Sequence, residues 1–94
     1  MLEKVVEKAL VKSARDRGGV AVKFVSPGLS GVPDRIILMP GGSMAFVELK
    51  APGQHMRPLQ VKRKRQLESL GFRVYVVDEP KMIGNVLDEI GGDT

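Results

Sequence analysis

Two short apolar runs joined by Pro40-Gly41-Gly42 restrict the fold of this chain more than any other feature. Residues 34–39 (DRIILM) and 43–50 (SMAFVELK) are rich in branched and apolar side chains, and the Pro-Gly-Gly between them is a turn signal. The pattern predicts a β-hairpin with largely buried strands. The open end of that hairpin nevertheless carries three charged residues, which are Asp34, Glu48 and Lys50.

The remaining patterns predict helices and further strands around this hairpin. Apolar spacing predicts a helix over 3–17, and a β-branched run predicts a strand over 20–25. A second helix is predicted to begin at Pro58 and to end near Leu70. A fourth strand over 72–78, dense in valine and therefore expected to be central, precedes a closing helix over 80–91.

The predicted order is therefore αβββαβ with a terminal helix. A right-handed crossover should place the fourth strand parallel to a strand of the meander. The predicted fold class is α/β (α+β), with a mixed four-stranded sheet flanked by helices in a single domain over residues 1–94.

Composition excludes several classes of protein. The chain has 94 residues and no cysteine, so neither disulfides nor a thiolate metal site is expected. It shows no apolar stretch long enough to span a membrane. Glu3 and Glu7 stand where a signal peptide would be apolar, so a cytoplasmic protein without membrane contact is expected. A chain this short has a small core, and a homodimer would supplement it. Apolar surface for such a dimer interface is offered by residues 24–29 (FVSPGL) or by the terminal helix. The terminal helix is nevertheless expected to pack on its own sheet.

The positive charge is concentrated in one segment. Residues 50–73 contain seven Lys and Arg residues against Glu68 alone, a net +6, whereas the whole chain carries +4. Such a patch is typical of a protein that binds nucleic acid, and a solvated helix face is the alternative.

The hairpin loop decides whether the three charges meet. Side chains alternate along a strand, so Glu48 and Lys50 share one face with Phe46. A two-residue loop would pair Asp34 with Leu49 and turn it to the other face. A three-residue loop over 41–43 would pair Asp34 with Lys50, and an odd loop or a bulge of the same parity is predicted.

Asp34, Glu48 and Lys50 together suit metal-dependent hydrolysis of a phosphodiester. Two carboxylates can hold Mg²⁺ or Mn²⁺ with most of its waters, and the Leu49 backbone carbonyl is a natural further ligand. Lys50 would orient the attacking water or stabilise charge on the phosphate. The alternative is a cross-strand salt bridge between Lys50 and Asp34, with Glu48 merely exposed.

The segments GVPDRIIL, FVELKAPG and RPLQ together resemble the virus-type replication-repair nuclease (VRR-NUC) domain of the PD-(D/E)xK superfamily. The resemblance runs from EKALVK to GFRVYVV and implies a restriction-endonuclease-like core with Asp34, Glu48 and Lys50 as catalytic residues. It also implies a metal-site acid on the first helix, where spacing allows Glu3 or Glu7 and the alignment favours Glu7. Gln60 matches the glutamine that opens the second helix, and it would bind a phosphate or brace the site.

The resemblance further implies DNA as the partner. Four consecutive basic residues cannot all face DNA, and Leu59, Gln66, Leu67 and Leu70 are predicted to be the buried side of the second helix. Lys64, on the Gln60 flank, is the best-placed phosphate contact, and the other candidates are Arg57, Lys62 and Arg63. The loop before Asp34 (SPGLSG) lacks a phosphate-cradling glycine pattern, and His55 is expected to be exposed.

Stand-alone domains of this kind resemble Holliday-junction resolvases, which act as symmetric dimers. The leading hypothesis is a Mg²⁺- or Mn²⁺-dependent DNA endonuclease that acts on branched DNA as a homodimer. A non-catalytic DNA-binding module and a small structural protein are the alternatives.

Overall fold

The computed structural model describes residues 2–91, and the predicted domain limits of 1–94 extend to Met1 and residues 92–94 outside that range. Every predicted element is present, with strands one or two residues shorter than predicted at their ends. The elements are α1 (Glu3–Asp16), β1 (Val20–Lys23), β2 (Arg35–Leu38), β3 (Met44–Leu49), α2 (Pro58–Ser69), β4 (Val74–Val77) and α3 (Ile83–Gly91), with a 3₁₀ turn at Pro80–Met82 before α3.

The four strands form one mixed sheet in the order β1-β2-β3-β4. The first three strands are antiparallel neighbours, and β4 runs parallel to β3 as the crossover rule predicts. The valine-rich β4 is an edge strand, so the prediction of a central position was wrong. Val74 and Val77 point to opposite faces and are both buried. Burial on both faces explains why an edge strand is rich in valine.

Helices α1 and α3 cover one face of the sheet. Val6, Leu10 and Ala14 of α1 meet a buried row from α3 and the sheet. The row from α3 consists of Ile83, Val86, Leu87 and Ile90. The terminal helix therefore packs on its own sheet, as expected. No helix within the described range 2–91 has the length and apolar character of a membrane span.

The hairpin loop has three residues, and the predicted odd parity is confirmed. Met39 donates its N–H to the Ser43 carbonyl at 2.8 Å, so the loop is Pro40-Gly41-Gly42. Both glycines have a φ near +88°, a conformation that favours glycine. The loop starts one residue earlier than predicted, because proline has no N–H with which to close the ladder.

This shift changes the partner of Asp34. The last pair of the ladder is Arg35 with Val47, so the next position places Asp34 opposite Glu48. The predicted partner was Lys50. The face is unchanged, because the register moved by an even number of residues. Asp34 and Glu48 therefore lie side by side at the end of the sheet where β3 and β4 terminate.

Candidate active site

Asp34 is fixed at the end of the hairpin by the backbone of the neighbouring strand. The Leu49 N–H donates to Oδ2 of Asp34 at 2.8 Å. This bond joins the residue before β2 to the last residue of β3, and it leaves Oδ1 of Asp34 without a described hydrogen bond. One carboxylate oxygen is thus used for positioning and the other is available for a ligand.

Glu48 is a buried carboxylate without a protein partner. Its side chain is 1% exposed, and within residues 2–91 neither Oε1 nor Oε2 has a hydrogen-bond partner. Burial raises the pKa of Glu48 to about 8, and the neighbouring Asp34 adds to the shift, as an acceptor that favours the protonated form of Glu48 and as a negative charge. Lys50 opposes this shift and the charge of Glu3 adds to it.

Lys50 completes the group of charges but forms no ion pair in the described part of the chain. Its side chain is 9% exposed, and none of the salt bridges or hydrogen bonds there involves its Nζ. The alternative of a Lys50–Asp34 salt bridge beside an exposed Glu48 is therefore wrong on both counts. The ammonium is near enough for its charge to act on Glu48, yet it remains free to bind another group.

The two acids on α1 have different surroundings. Glu7 accepts a hydrogen bond from Arg35 at 3.0 Å, and Arg35 also donates to the Ala21 carbonyl at 2.9 Å. Glu3 is the acid whose charge contributes to the raised pKa of Glu48. The structure therefore gives Glu7 a positioning partner on the other face of β2, and the role of either acid in metal binding stays a prediction.

The donor set fits a hard divalent cation held mostly by water. Within residues 2–91 there is no group of three or more acidic, His or Cys side chains that could hold a metal by themselves. Two carboxylates are present, and the orphaned oxygens of buried Glu48 are what a cation would satisfy. Mg²⁺ commonly uses one or two protein carboxylates and keeps several waters.

Helix α2 turns a polar side toward the rest of the protein, which corrects the sequence analysis. Leu59, Gln66 and Leu70 are exposed and Leu67 is half-buried, whereas the buried residues are Gln60 and Arg63. The leucines of α2 were predicted to be buried because leucine usually is. The side of α2 that faces the protein instead binds a backbone carbonyl of the loop before Asp34.

Arg63 makes that contact, and its role in DNA binding stays a prediction. Its side chain is 9% exposed, its Nε donates to the Ser30 carbonyl at 2.7 Å, and its NH1 donates to Gln66. The guanidinium therefore braces the loop. Lys64 is half-buried and pairs with Glu68 at 3.0 Å, whereas Arg57 and Lys62 are exposed like His55.

Sequence reasoning missed Arg35, Ser30 and Gly31. Arg35 holds Glu7, and its place next to Asp34 on an alternating strand could have indicated a side chain on the opposite face. The Ser30 carbonyl accepts a hydrogen bond from Arg63, and Gly31 lies so close to α2 that a Cβ there would stand 2.6 Å from the Leu59 carbonyl oxygen. The sequence carries no signal for these contacts beyond the glycine itself.

Comparison with known proteins agrees with this architecture. The VRR-NUC domain family matches residues 3–78. A protein of Acyrthosiphon pisum secondary endosymbiont phage 1, p44, named as a candidate nuclease, is 49% identical over 76 residues, which are 81% of this chain and 82% of p44. A solved VRR-NUC domain superposes with a TM-score of 0.84 at 28% identity, over 92% of this chain and 94% of the other.

The fold is that of a VRR-NUC domain, and the family match together with a relative named for nuclease activity supports a nuclease. The chain belongs to the VRR-NUC family. The resemblance noted in the sequence is thereby confirmed.

Proposed function

We propose that this chain is a Mg²⁺- or Mn²⁺-dependent DNA endonuclease that acts as a homodimer on branched DNA such as a Holliday junction. The observation that carries the proposal is the buried Glu48 carboxylate, whose two oxygens lack partners within the described residues while Asp34 stands beside it. Burial of an unpaired charge is costly, so such a pair of acids is suited to a bound cation.

The cation would be held by the carboxylates of Asp34 and Glu48 and by the Leu49 carbonyl. When bound, it supplies positive charge that activates a water molecule and offsets charge on the phosphate. The Leu49 N–H keeps the Asp34 carboxylate in place through Oδ2. This positioning needs no rearrangement when substrate arrives, which is the usual advantage of a preorganised site.

Lys50 has the properties of a group that acts on the substrate. Its ammonium lies close to Glu48 but has no ion-pair partner among residues 2–91. It can donate to a non-bridging phosphate oxygen as the water oxygen attacks phosphorus and the bond to the leaving oxygen breaks. Because the site is largely buried, that interaction is stronger than it would be in open water.

The assignment of DNA as substrate rests on the charge of α2 and on the family. Arg57, Lys62 and Arg65 are exposed and have no ion pair in the described structure. Contacts of this kind bind the backbone without reading its sequence. The match to a phage protein named for nuclease activity agrees with a substrate of phage or bacterial DNA, which the enzyme would meet in the cytoplasm.

Cleavage of a labelled four-way junction and of matched linear duplex tests this proposal. We expect cutting of the junction with Mg²⁺ or Mn²⁺ and none with EDTA. Lys50→Ala should reduce the rate by about 10²–10³-fold, because it removes one electrostatic contact to the reacting group. Lys8→Ala removes the same charge from the exposed side of α1 and should cut at the wild-type rate.

Three results would change the proposal. Cutting of duplex alone would keep the nuclease and remove the preference for branched DNA. Full activity of Lys50→Ala would remove that residue from the mechanism. Binding of DNA without any metal-dependent cleavage would indicate a non-catalytic DNA-binding module.

An uncovered apolar face of the sheet supports the homodimer. Val20 and Val22 of β1 and Leu38 of β2 are exposed on the face that α1 and α3 do not cover. The cross-strand register places only apolar residues on this face of β1 and β2, with Leu38 opposite Val20 and Ile36 opposite Val22. A chain with a small core can bury such a face against a second copy through a two-fold interface.

Sedimentation equilibrium at micromolar concentrations tests this face. We expect the wild type to be a dimer and Leu38→Lys to be a monomer, because the lysine would place a charge in the apolar contact. Val5→Lys introduces the same charge at an exposed valine of α1 and should remain a dimer. A monomeric wild type would contradict the homodimer, and a dimeric Leu38→Lys would contradict this interface.

A further inference from the structure

The loop between β1 and β2 presents an apolar tip to solvent. Residues 24–33 (FVSPGLSGVP) lead from β1 to Asp34, and two of their large apolar side chains are uncovered. Val25 is 69% exposed and Leu29 is 37% exposed. Leu29 donates its N–H to the Ser26 carbonyl at 3.3 Å, so the chain turns here and brings Leu29 back toward Val25. These two side chains form the tip, and they contribute little to the core of the protein.

The base of this loop lies at the candidate active site. Phe24 donates its N–H to the Asp34 carbonyl at 2.8 Å, which extends the β1–β2 ladder by one pair. Directly opposite residues of antiparallel strands have Cα atoms about 5 Å apart, so the backbone of Phe24 is that close to Asp34. Glu48 lies on the other side of Asp34, and the three side chains share one face of the sheet. Val25 follows Phe24 directly, so the tip begins next to the row that contains both carboxylates.

The loop is held in place at both of its ends. Its first residue is bonded to the backbone of Asp34, as described above. Its second half is fixed to α2, because Arg63 Nε donates to the Ser30 carbonyl at 2.7 Å and Gly31 packs closely against Leu59. The tip is therefore presented in a defined position before a ligand arrives, which lowers the entropic cost of binding.

The charges around the tip favour a polyanion as its ligand. Residues 17–33 contain no Asp or Glu. Lys23, at the end of β1, is exposed and has no ion pair within the described range. Arg57 is also exposed, and it lies across a shared hollow from Ser30 and Gly31 of the loop. Apolar residues between cations match DNA, because its bases have apolar faces and its backbone is anionic.

We infer that Val25 and Leu29 contact the faces of unstacked bases at a branch point of the DNA. In an intact duplex the base faces are stacked on each other, and an apolar side chain finds only phosphates, sugars and polar base edges outside. Base faces become accessible where strands diverge, and apolar side chains can insert between base steps. The contact holds the branch point beside Asp34 and Glu48, so it determines which DNA is cut. This inference deepens the proposed function and rests on it for DNA as the ligand.

DNA binding in EDTA tests the contact without any cleavage. A labelled four-way junction and the matched linear duplex are each titrated with protein, and the dissociation constants are measured by fluorescence anisotropy. Val25→Ser should weaken binding of the junction by about fivefold or more, as expected for the loss of a contact to one base, and leave binding of the duplex unchanged. Leu29→Ser should act in the same way. The salt slope of junction binding should stay the same, because no phosphate contact is removed.

Two control variants separate the apolar contact from a change in folding. Val25→Ile keeps an apolar side chain of the same branching and should bind the junction like the wild type. Leu70→Ser removes a leucine that is 65% exposed, and Leu70 precedes the start of β4, at the end of the sheet away from Asp34. This variant should also bind like the wild type. A fluorescent adenine analogue at the branch point should brighten when the wild type unstacks it, and brighten less with Val25→Ser.

The outcomes separate this inference from the proposed function. If Val25→Ser and Leu29→Ser weaken junction and duplex binding equally, or not at all, the inference is overturned even in a protein that cuts DNA. A wild type with the same affinity for both DNAs would overturn it as well. Selective loss of junction binding in a protein that never cuts would retain the contact and contradict the nuclease. A monomeric Val25→Ser beside a dimeric wild type would make the tip an interface between copies and overturn the contact with bases.

Discussion

Glu48→Gln is expected to stabilise the metal-free protein while it reduces metal-dependent cleavage by about 10²–10³-fold. The carboxylate is buried beside Asp34, and neither of its oxygens has a partner among residues 2–91. A neutral amide of the same shape removes the repulsion, so the free energy of unfolding in EDTA should rise by about 1–3 kcal/mol near pH 8. The same change removes a charged oxygen ligand, so cleavage should fall.

The pH dependence of stability has a definite sign. The pKa of Glu48 is raised from 4.5 to about 8 in the folded protein. Between these values the folded chain holds a proton that the unfolded chain releases, so the free energy of unfolding falls as the pH rises. Glu48→Gln should lack this loss, and Mg²⁺ should oppose it in the wild type by binding the ionised form.

Urea denaturation in EDTA at pH 5, 6.5 and 8.5 measures this effect. Glu89→Gln is the control, because it neutralises an exposed acid on α3 and should follow the wild-type pH dependence. Parallel pH dependences of the wild type and Glu48→Gln would show that the carboxylate is not destabilised by burial, and the argument for a cation site would lose its main support.

Gly31→Ala is expected to lower the free energy of unfolding by about 2–4 kcal/mol. Its φ of +78° favours glycine, and the added Cβ would meet the Leu59 carbonyl oxygen at 2.6 Å. That oxygen belongs to the backbone of the first turn of α2, so the helix or the loop must move.

Substitutions at two other glycines separate the effect of backbone strain from the effect of a steric clash. Gly28 lies in the same loop without a positive φ or a nearby atom, so Gly28→Ala should change stability by less than about 0.5 kcal/mol. Gly53 has a φ of +82° in open space, so Gly53→Ala should show the strain alone, about 1 kcal/mol. Chemical denaturation compares all three, and equal losses for Gly31→Ala and Gly53→Ala would mean that the close approach to α2 is not limiting.

The elements, and the face that Asp34, Glu48 and Lys50 share, could be predicted because they depend on local patterns. The alternation around Glu48 and Lys50 sets their common face, and the Pro-Gly-Gly turn restricts the hairpin loop to a few lengths. The parity of that loop placed Asp34 on the correct face. Its exact partner was missed because proline lacks the N–H that the predicted register required.

The surroundings of the helices could not be predicted in the same way. Hydrophobicity suggested that the leucines of α2 are buried, but Gln60 and Arg63 are buried instead. A carbonyl of a loop thirty-three residues earlier in the sequence accepts the Arg63 hydrogen bond, and periodicity within α2 contains no information about that partner. The same holds for Glu7, whose partner Arg35 lies on a strand twenty-eight residues away.

The sequence by itself determined the order of helices and strands, the family resemblance and the grouping of Asp34, Glu48 and Lys50, because local geometry and short motifs carry that information. Only the tertiary structure decided that Glu48 is buried without a partner among the described residues, that Lys50 forms no ion pair there, and that Arg63 binds the loop before Asp34. Those properties depend on which distant backbone and side-chain atoms meet, and contacts of that kind are set by the packing of the whole chain.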